Sequence, residues 1–252
     1  MKTHVVIIGF GTMGKAIAKA ISKKDRKIIV FGIDKDKPNM KKIIQKVSEA
    51  DFLILSIKPQ DAKEVIAEIK DYFNKKTILI SIMAGVSIKE LIRLSGHQKI
   101  VRMMPNLGLS VGQGIAVWKK TGLSVLEFRK AKNFINKISD NFESKNEDTI
   151  NKVTAISGSG PAYFFLLAES LVNASCNLGL SKNESIKLVE KTLLSSAFLG
   201  NKGNYSSLIK KVASKGGTTE AALKVFQKEN FSGIVLKAIT TAYKRAQELS
   251  HE

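Results

Sequence analysis

The residues best suited to hold a phosphate or a carboxylate lie in two glycine-rich segments of this 252-residue chain. The first is Gly9-Phe10-Gly11-Thr12-Met13-Gly14, a G-x-G-x-x-G that follows a short apolar run and opens a helical pattern. In that context Gly9 allows a tight turn, Gly11 lets the backbone approach a pyrophosphate, and Gly14 lets helix pack on strand. The helix start adds unpaired N–H groups and partial positive charge. Thr12 and Met13 complete this predicted dinucleotide site. Asp34 stands 20 residues beyond Gly14, where an acidic side chain accepts hydrogen bonds from the ribose hydroxyls of NAD. Lys35 and Lys37 follow at once and could instead neutralise the 2′-phosphate of NADPH. The residues therefore leave NADPH or NADH open.

The second segment is Ser214-Lys215-Gly216-Gly217-Thr218-Thr219-Glu220. A glycine pair at a helix start offers backbone N–H groups, and the hydroxyls of Ser214, Thr218 and Thr219 lie close by. Convergent donors of this kind suit a small carboxylate. The same residues also read as an ordinary helix start with Glu220 in its first turn, and both readings can hold together. Elsewhere the chemistry is sparse. His4, His97 and His251 fall at a strand start, in a loop and at the C-terminus, and no acid–base pair or metal-ligand set is assigned. Cys176 is the single cysteine, so no intramolecular disulfide forms, which suits a reducing compartment; its mid-helix place points to packing, as does that of Trp118.

The elements that must carry these segments follow from hydrophobic period. Apolar, β-rich runs at 4–8, 27–33, 52–57, 77–82 and 99–104 alternate with helical patterns at 13–23, 38–47, 60–73 and 86–94, which predicts βαβ units and a parallel sheet. A strand at 113–118 and a helix at 124–138 complete this half. After about Asp148 the period becomes helical, so the chain is predicted to divide into a dinucleotide-binding domain, 1–148, and an all-α domain, 149–252. Gly160-Pro161 opens a helix that closes at Gly179, and Ser181 with Glu184 forms a capping box for the next, which ends before Gly200. The last helix carries Phe231, Ile234, Val235, Ala238, Ile239, Ala242, Ala246 and Leu249 on one face. Residues 162–178 are apolar nearly all round, and a hundred-residue helical segment cannot bury such a helix alone. A homodimer through the helical domain, or a higher oligomer, is expected.

Composition narrows the partners. The net charge is +19, yet the basic residues do not cluster, and no helix-turn-helix, aromatic stacking motif or basic tail is present, so nucleic acid is not expected. General positive charge favours small anions. The N-terminus has only a short apolar run before the glycines, so neither a signal peptide nor a membrane span is expected, and a cytoplasmic protein is.

Further segments join the two glycine-rich ones: Ser56-Ile57-Lys58-Pro59-Gln60, Arg102-Met103-Met104-Pro105-Asn106 and Ser157-Gly158-Ser159-Gly160-Pro161-Ala162-Tyr163. With Ala213 to Leu223 they resemble the pyrroline-5-carboxylate reductase family from end to end. The resemblance implies a Rossmann-type dinucleotide-binding domain followed by an all-α dimerisation domain, and hydride transfer from NADPH or NADH to a cyclic imine carboxylate to give L-proline. It places Ser56, Lys58, Pro59, Pro105 and Asn106 near the nicotinamide. It also implies that Ser214, Gly216, Gly217 and Thr218 hold the substrate carboxylate and that the Thr219 hydroxyl faces the ring nitrogen. The chain departs from the family at Tyr205 and Lys215, where proline is usual or frequent. Two alternatives remain at this stage: a β-hydroxyacid dehydrogenase, which would carry a catalytic lysine in the helix at 162–178 where none is found, and a non-catalytic dinucleotide-binding regulator.

Overall fold

The computed structural model describes residues 2–33, 40–200 and 203–250. Asp34, Lys35 and Lys37, expected at the cofactor ribose, lie outside the described residues, as does His251. Among the described residues seven strands, β1 (Thr3–Ile8), β2 (Ile28–Ile33), β3 (Phe52–Leu55), β4 (Ile78–Ser81), β5 (Ile100–Pro105), β6 (Ile115–Thr121) and β7 (Asp140–Glu143), form one sheet in the order β2-β1-β3-β4-β5-β6-β7. The pairs from β2 through β5 are parallel. The helices of this half are α1 (Thr12–Lys24), α2 (Met40–Glu49), α3 (Ala62–Ile69), α4 (Ile88–Ser95), α5 (Val125–Ile138) and α6 (Asp148–Val153).

Strand periodicity decides where the helices sit. Val5 and Ile7 of β1 face a core with Ile17 and Ile21 of α1 and Phe134, Ile135 and Ile138 of α5. Val6 and Ile8 face the opposite core with Val47 of α2, Ile66 of α3 and Leu91 of α4. Every residue of β3 and β4 is buried, as strands covered on both faces require, and each fully buried Ile or Leu contributes about 2 kcal/mol relative to exposure. Helix α6 seats on a third, small patch made by Met104, Val117 and Ile150.

Three differences from the sequence reading have plain causes. Strand β6 runs antiparallel to β5, because a connection of this length, holding a short 3-10 turn at Leu107–Val111, cannot make the crossover that a parallel pair needs. Strand β7 was not expected from Asp140-Asn141-Phe142-Glu143; it exists by pairing with β6 at the sheet edge. The single helix expected over 60–73 is a 3-10 turn at Pro59–Asp61, α3, and a second turn at Lys70–Tyr72. Helix α6 runs on into a π-helical turn at Thr154–Gly158.

The chain separates into two compact units, Met1–Ser159 with Thr241–Glu252, and Gly160–Thr240. The helices of the remaining part are α7 (Gly160–Asn177), α8 (Lys182–Leu199), α9 (Tyr205–Val212), α10 (Thr218–Lys228) and α11 (Phe231–Glu248). Within the second unit α7 packs on α8. Gly179 takes φ +96° in the link between them, and Ser181 with Glu184 makes the reciprocal capping box that starts α8. The end of α11 belongs to the first unit: the Tyr243 hydroxyl donates to the Asp148 carboxylate at 2.8 Å.

Candidate functional site

At the end of β1 the chain turns through Gly9, whose φ of +88° favours glycine. A Cβ there would stand 2.4 Å from Ser56 O, and one at Gly14 would stand 2.3 Å from Gly9 O. These two glycines are demanded by the fold itself. Gly11 is different: a Cβ on it would meet nothing within 4 Å. Gly11 is the N-cap of α1, with no side-chain cap and no acidic residue in the first turn. The first of the helical bonds at this end runs from Lys15 N–H to Gly11 O, so the N–H groups of Thr12, Met13 and Gly14 precede any intrahelical acceptor. An open, uncapped helix start of this kind fits a pyrophosphate.

The second wall comes from β3. Ser56 N–H donates to Ile8 O at 2.8 Å, and Gly9 N–H donates to Ile33 O at 2.9 Å, so the ends of β1, β2 and β3 are fastened around the glycine turn. The chain goes from β1 out to β2 on one side and then to β3 on the other, so the gap between β1 and β3 is a switch point of the sheet, where open α/β sheets bind ligands. Lys58 is exposed just before the Pro59–Asp61 turn. Asn106 lies at the corresponding end of β5. Its N–H donates to Ile115 O, and its Oδ1 accepts from Ile115 N–H at 3.1 Å. The Asn106 side chain therefore pins the β5–β6 hairpin, a task that the sequence reading did not assign to it.

The second glycine-rich segment lies in the second unit. Gly217 N–H donates to Ser214 O at 3.0 Å, and Gly216 takes φ +73°, which closes a tight turn before α10. Gly217 caps α10 without a side-chain hydrogen bond, and the first of that helix's bonds runs from Ala221 N–H to Gly217 O. The N–H groups of Thr218, Thr219 and Glu220 thus precede any intrahelical partner. Glu220 reaches back and accepts from Gly216 N–H at 2.5 Å. That bond, then the one from Lys224, holds its carboxyl below the usual range. Gly216 N–H is thereby occupied, while Thr218 is exposed and Thr219 half-buried.

Of the histidines among the described residues, His97 serves packing and His4 stands half-buried in β1. His97 Nε2 lies 2.7 Å from Thr77 O, and its ring meets Phe73 edge-on. His4 Nδ1 lies 4.0 Å from Glu49. Trp118 is buried, with its indole N–H donating to Asn141. Among the described residues no group of three or more His, Cys, Asp or Glu side chains is gathered to hold a metal, and no helix is long and apolar enough to cross a membrane. The reading missed Arg102, which is buried on β5. Its signal was a single charge inside the apolar run Ile100-Val101-Arg102-Met103-Met104.

Comparison with known proteins gives two family models. One, for pyrroline-5-carboxylate reductase dimerisation, matches residues 147–249; the other, for NADP oxidoreductase, coenzyme F420-dependent, matches residues 4–85. A pyrroline-5-carboxylate reductase of Aquifex aeolicus is 33% identical over 98% of this chain and 97% of its own length. Among solved structures, a Plasmodium falciparum pyrroline carboxylate reductase with NADP bound superposes with TM-score 0.89 at 28% identity, covering 98% of both chains. A Coxiella burnetii pyrroline-5-carboxylate reductase gives 0.83 at 32% identity, covering 99% of both.

Proposed function

The chain belongs to the pyrroline-5-carboxylate reductase family, and from that premise we propose which of its residues carry the reduction of the cyclic imine to L-proline. The protein is an NAD(P)H-dependent oxidoreductase of proline biosynthesis. When bound, the reduced nicotinamide supplies the hydride that the imine carbon accepts. Gly9, Gly11, Thr12, Met13 and Gly14 hold the pyrophosphate. Ser56, Lys58, Pro59 and Asn106 line the nicotinamide end, and Asp34 and Lys35 meet the adenosine ribose. The observation that supports this reading most is the open Cβ position at Gly11 on an uncapped helix start, flanked by glycines that the backbone itself requires.

The substrate carboxylate is held by Ser214, Gly217 and Thr218, with Gly216 shaping the turn and donating if Glu220 moves aside. The Thr219 hydroxyl faces the ring nitrogen: its oxygen accepts from the N–H of the protonated imine, and its O–H donates to the nitrogen lone pair that appears as hydride arrives. That contact keeps the nitrogen's charge matched as the C=N bond becomes a C–N bond; the nitrogen retains the proton it took from solvent, and the carbon gains the hydride. No strong acid–base pair is needed, because a protonated imine is already electrophilic and orientation supplies much of the remaining rate. The division at residue 148 then has a functional sense, with residues 1–148 binding the dinucleotide and residues 149–252 the substrate. We further infer a homodimer through the helical domain, or a higher oligomer, working in the cytoplasm on a small imine carboxylate and not on nucleic acid.

The test is to compare wild type with Gly217→Trp and Thr219→Ala. A tryptophan at the turn is expected to abolish turnover of pyrroline-5-carboxylate while dinucleotide binding, measured by calorimetry, persists. Full turnover in Gly217→Trp would remove the loop from the substrate site.

A further inference from the structure

Among the described residues, Arg102 is the one charged side chain that is buried, at 1% exposure. We propose that it is a positioning residue for the reduction: its guanidinium fork sets the Met104–Asn106 end of β5 against the π-helical turn Thr154–Gly158. The proposal rests on the reading that the end of β5 lines the nicotinamide.

The fork joins several elements at one point. Arg102 Nη1 donates to Glu147 Oε1 at 2.8 Å, and Nη2 donates to Asn151 Oδ1 at 2.9 Å. Glu147 Oε1 also accepts from Ile88 N–H, at the first residue of α4, at 2.7 Å. Asn151 Oδ1 lies 3.4 Å from the Ser250 hydroxyl beyond the end of α11. One planar group thus fixes β5 relative to the start of α4, to α6 and to the C-terminal residues of the first unit. A point charge such as lysine lacks this geometry, because it cannot present two fixed donors in one plane.

The apolar contact beneath α6 cannot supply the same definition. It consists of Met104, Val117 and Ile150, with Ala84 and Val153 at its margin. Methionine adapts its shape easily, so such a patch tolerates sliding. Nor does stability explain the guanidinium. Its Nε finds no hydrogen-bond partner, and an apolar side chain in its place would escape the desolvation that a buried cation suffers. What the fork adds is a defined register.

That register reaches the reaction. Met104 is two residues along the strand from Arg102 and so faces the same side. A Cβ at Gly158 would stand 3.6 Å from Met104 Sδ, so the π-helical turn rests on this methionine. The same strand continues to Pro105 and Asn106, while α6 continues through the turn to Ser159. A misplacement of about 1 Å between reacting groups costs roughly 10²-fold in rate, and binding of a whole dinucleotide averages over many contacts. Loss of the fork therefore shows in kcat before it shows in affinity.

The experiment uses the full chain with pyrroline-5-carboxylate and NADPH or NADH, whichever the wild type turns over. Arg102→Lys keeps the cation without the fork, Asn151→Leu removes one prong and leaves the Glu147 pair, and Asn151→Asp keeps an acceptor for Nη2. The expected result is a fall in kcat of about tenfold or more for the first two, with dinucleotide Kd within about threefold of wild type and Asn151→Asp close to wild type. Unchanged kcat per folded enzyme in both Arg102→Lys and Asn151→Leu would overturn the proposal. So would a loss of affinity as large as the loss of kcat. An inactive wild type would instead defeat the functional reading, and amide hydrogen exchange would then decide the structural part. Faster exchange in Arg102→Lys at both Met103–Leu107 and Thr154–Ser159, with β1 to β4 unchanged, upholds the fork's role, and unchanged exchange at those two segments denies it.

Discussion

Gly9 and Gly11 stand two residues apart and answer to different demands. Alanine at Gly9 would need a left-handed φ and would press its Cβ on the Ser56 carbonyl, so Gly9→Ala is expected to lose more than about 2 kcal/mol of stability in urea unfolding. Gly11→Ala meets no neighbour; it is expected to cost only about 0.5 kcal/mol, since alanine is the poorer N-cap, yet to weaken dinucleotide binding roughly tenfold by calorimetry. Equal damage from both would mean that Gly11 serves the fold alone. Thr219→Ala removes a donor and leaves the helix start uncapped as before, so kcat should fall by about 10²-fold with little change in stability. The uncapped helix starts at Gly11 and Gly217 were legible because a glycine-rich run before a helical pattern is a strong local signal. The lone charge in an apolar run marked Arg102 but not its partners, and the hairpin duty of Asn106 left no mark, since each depends on partners 45 or 9 residues away in sequence.

Helix α5 shows what an element discloses of itself. Ser124 accepts from Glu127 N–H while the Glu127 carboxylate accepts from Ser124 N–H. The helix was expected from residue 124 by its period, and the cap explains why it begins there. Glu127 also receives Lys99 at 2.5 Å, and that contact, followed by the Ser124 N–H, holds its pKa down to about 2 from 4.5. The folded carboxyl titrates below the unfolded one, so its contribution to stability is complete above about pH 4.5 and fades as pH falls toward 2. Glu127→Gln retains the cap geometry and forgoes Lys99. Its destabilisation, read from urea midpoints, is expected to be full at pH 7 and to shrink steadily between pH 4.5 and 3; a pH-independent difference would assign the effect to packing instead. Strand β7 lies at the other extreme. Its four residues are mostly exposed and carry no apolar alternation, so only the pairing with β6 defines it. The direction of β6 is a different case: apolar period tells only where a strand is, but the short link between the runs at 99–104 and 113–118 leaves no room for a crossover and so implies an antiparallel pair.

For the whole molecule, the helical half carries a message visible in both sequence and structure. Phe164, Phe165 and Leu166 of α7 are 60% exposed or more in the single chain, and Leu193, Leu194 and Phe198 of α8 are exposed as well. Apolar exposure on this scale marks an interface, and the dimerisation family model covers both helices. Leu166→Glu is expected to yield monomers by analytical ultracentrifugation, and a variant that stays fully dimeric would move the interface off α7. The alternation of strands and helices in the first half, β7 apart, and the helical second half could be foreseen because buried β-rich runs and helical period are strong local signals. The separation of the compact units at Ser159 and Thr240 could not, since the return of α11 to the first unit rests on long-range contacts such as Tyr243 with Asp148. The central claim, a reductase that delivers hydride to the imine carbon of pyrroline-5-carboxylate, is tested most directly with deuterated reduced nicotinamide, supplied as NADPH or NADH. The purified protein should convert the imine to L-proline bearing one deuterium at the former imine carbon, with one cofactor oxidised per proline formed. Dinucleotide binding without any labelled proline from either cofactor would contradict it.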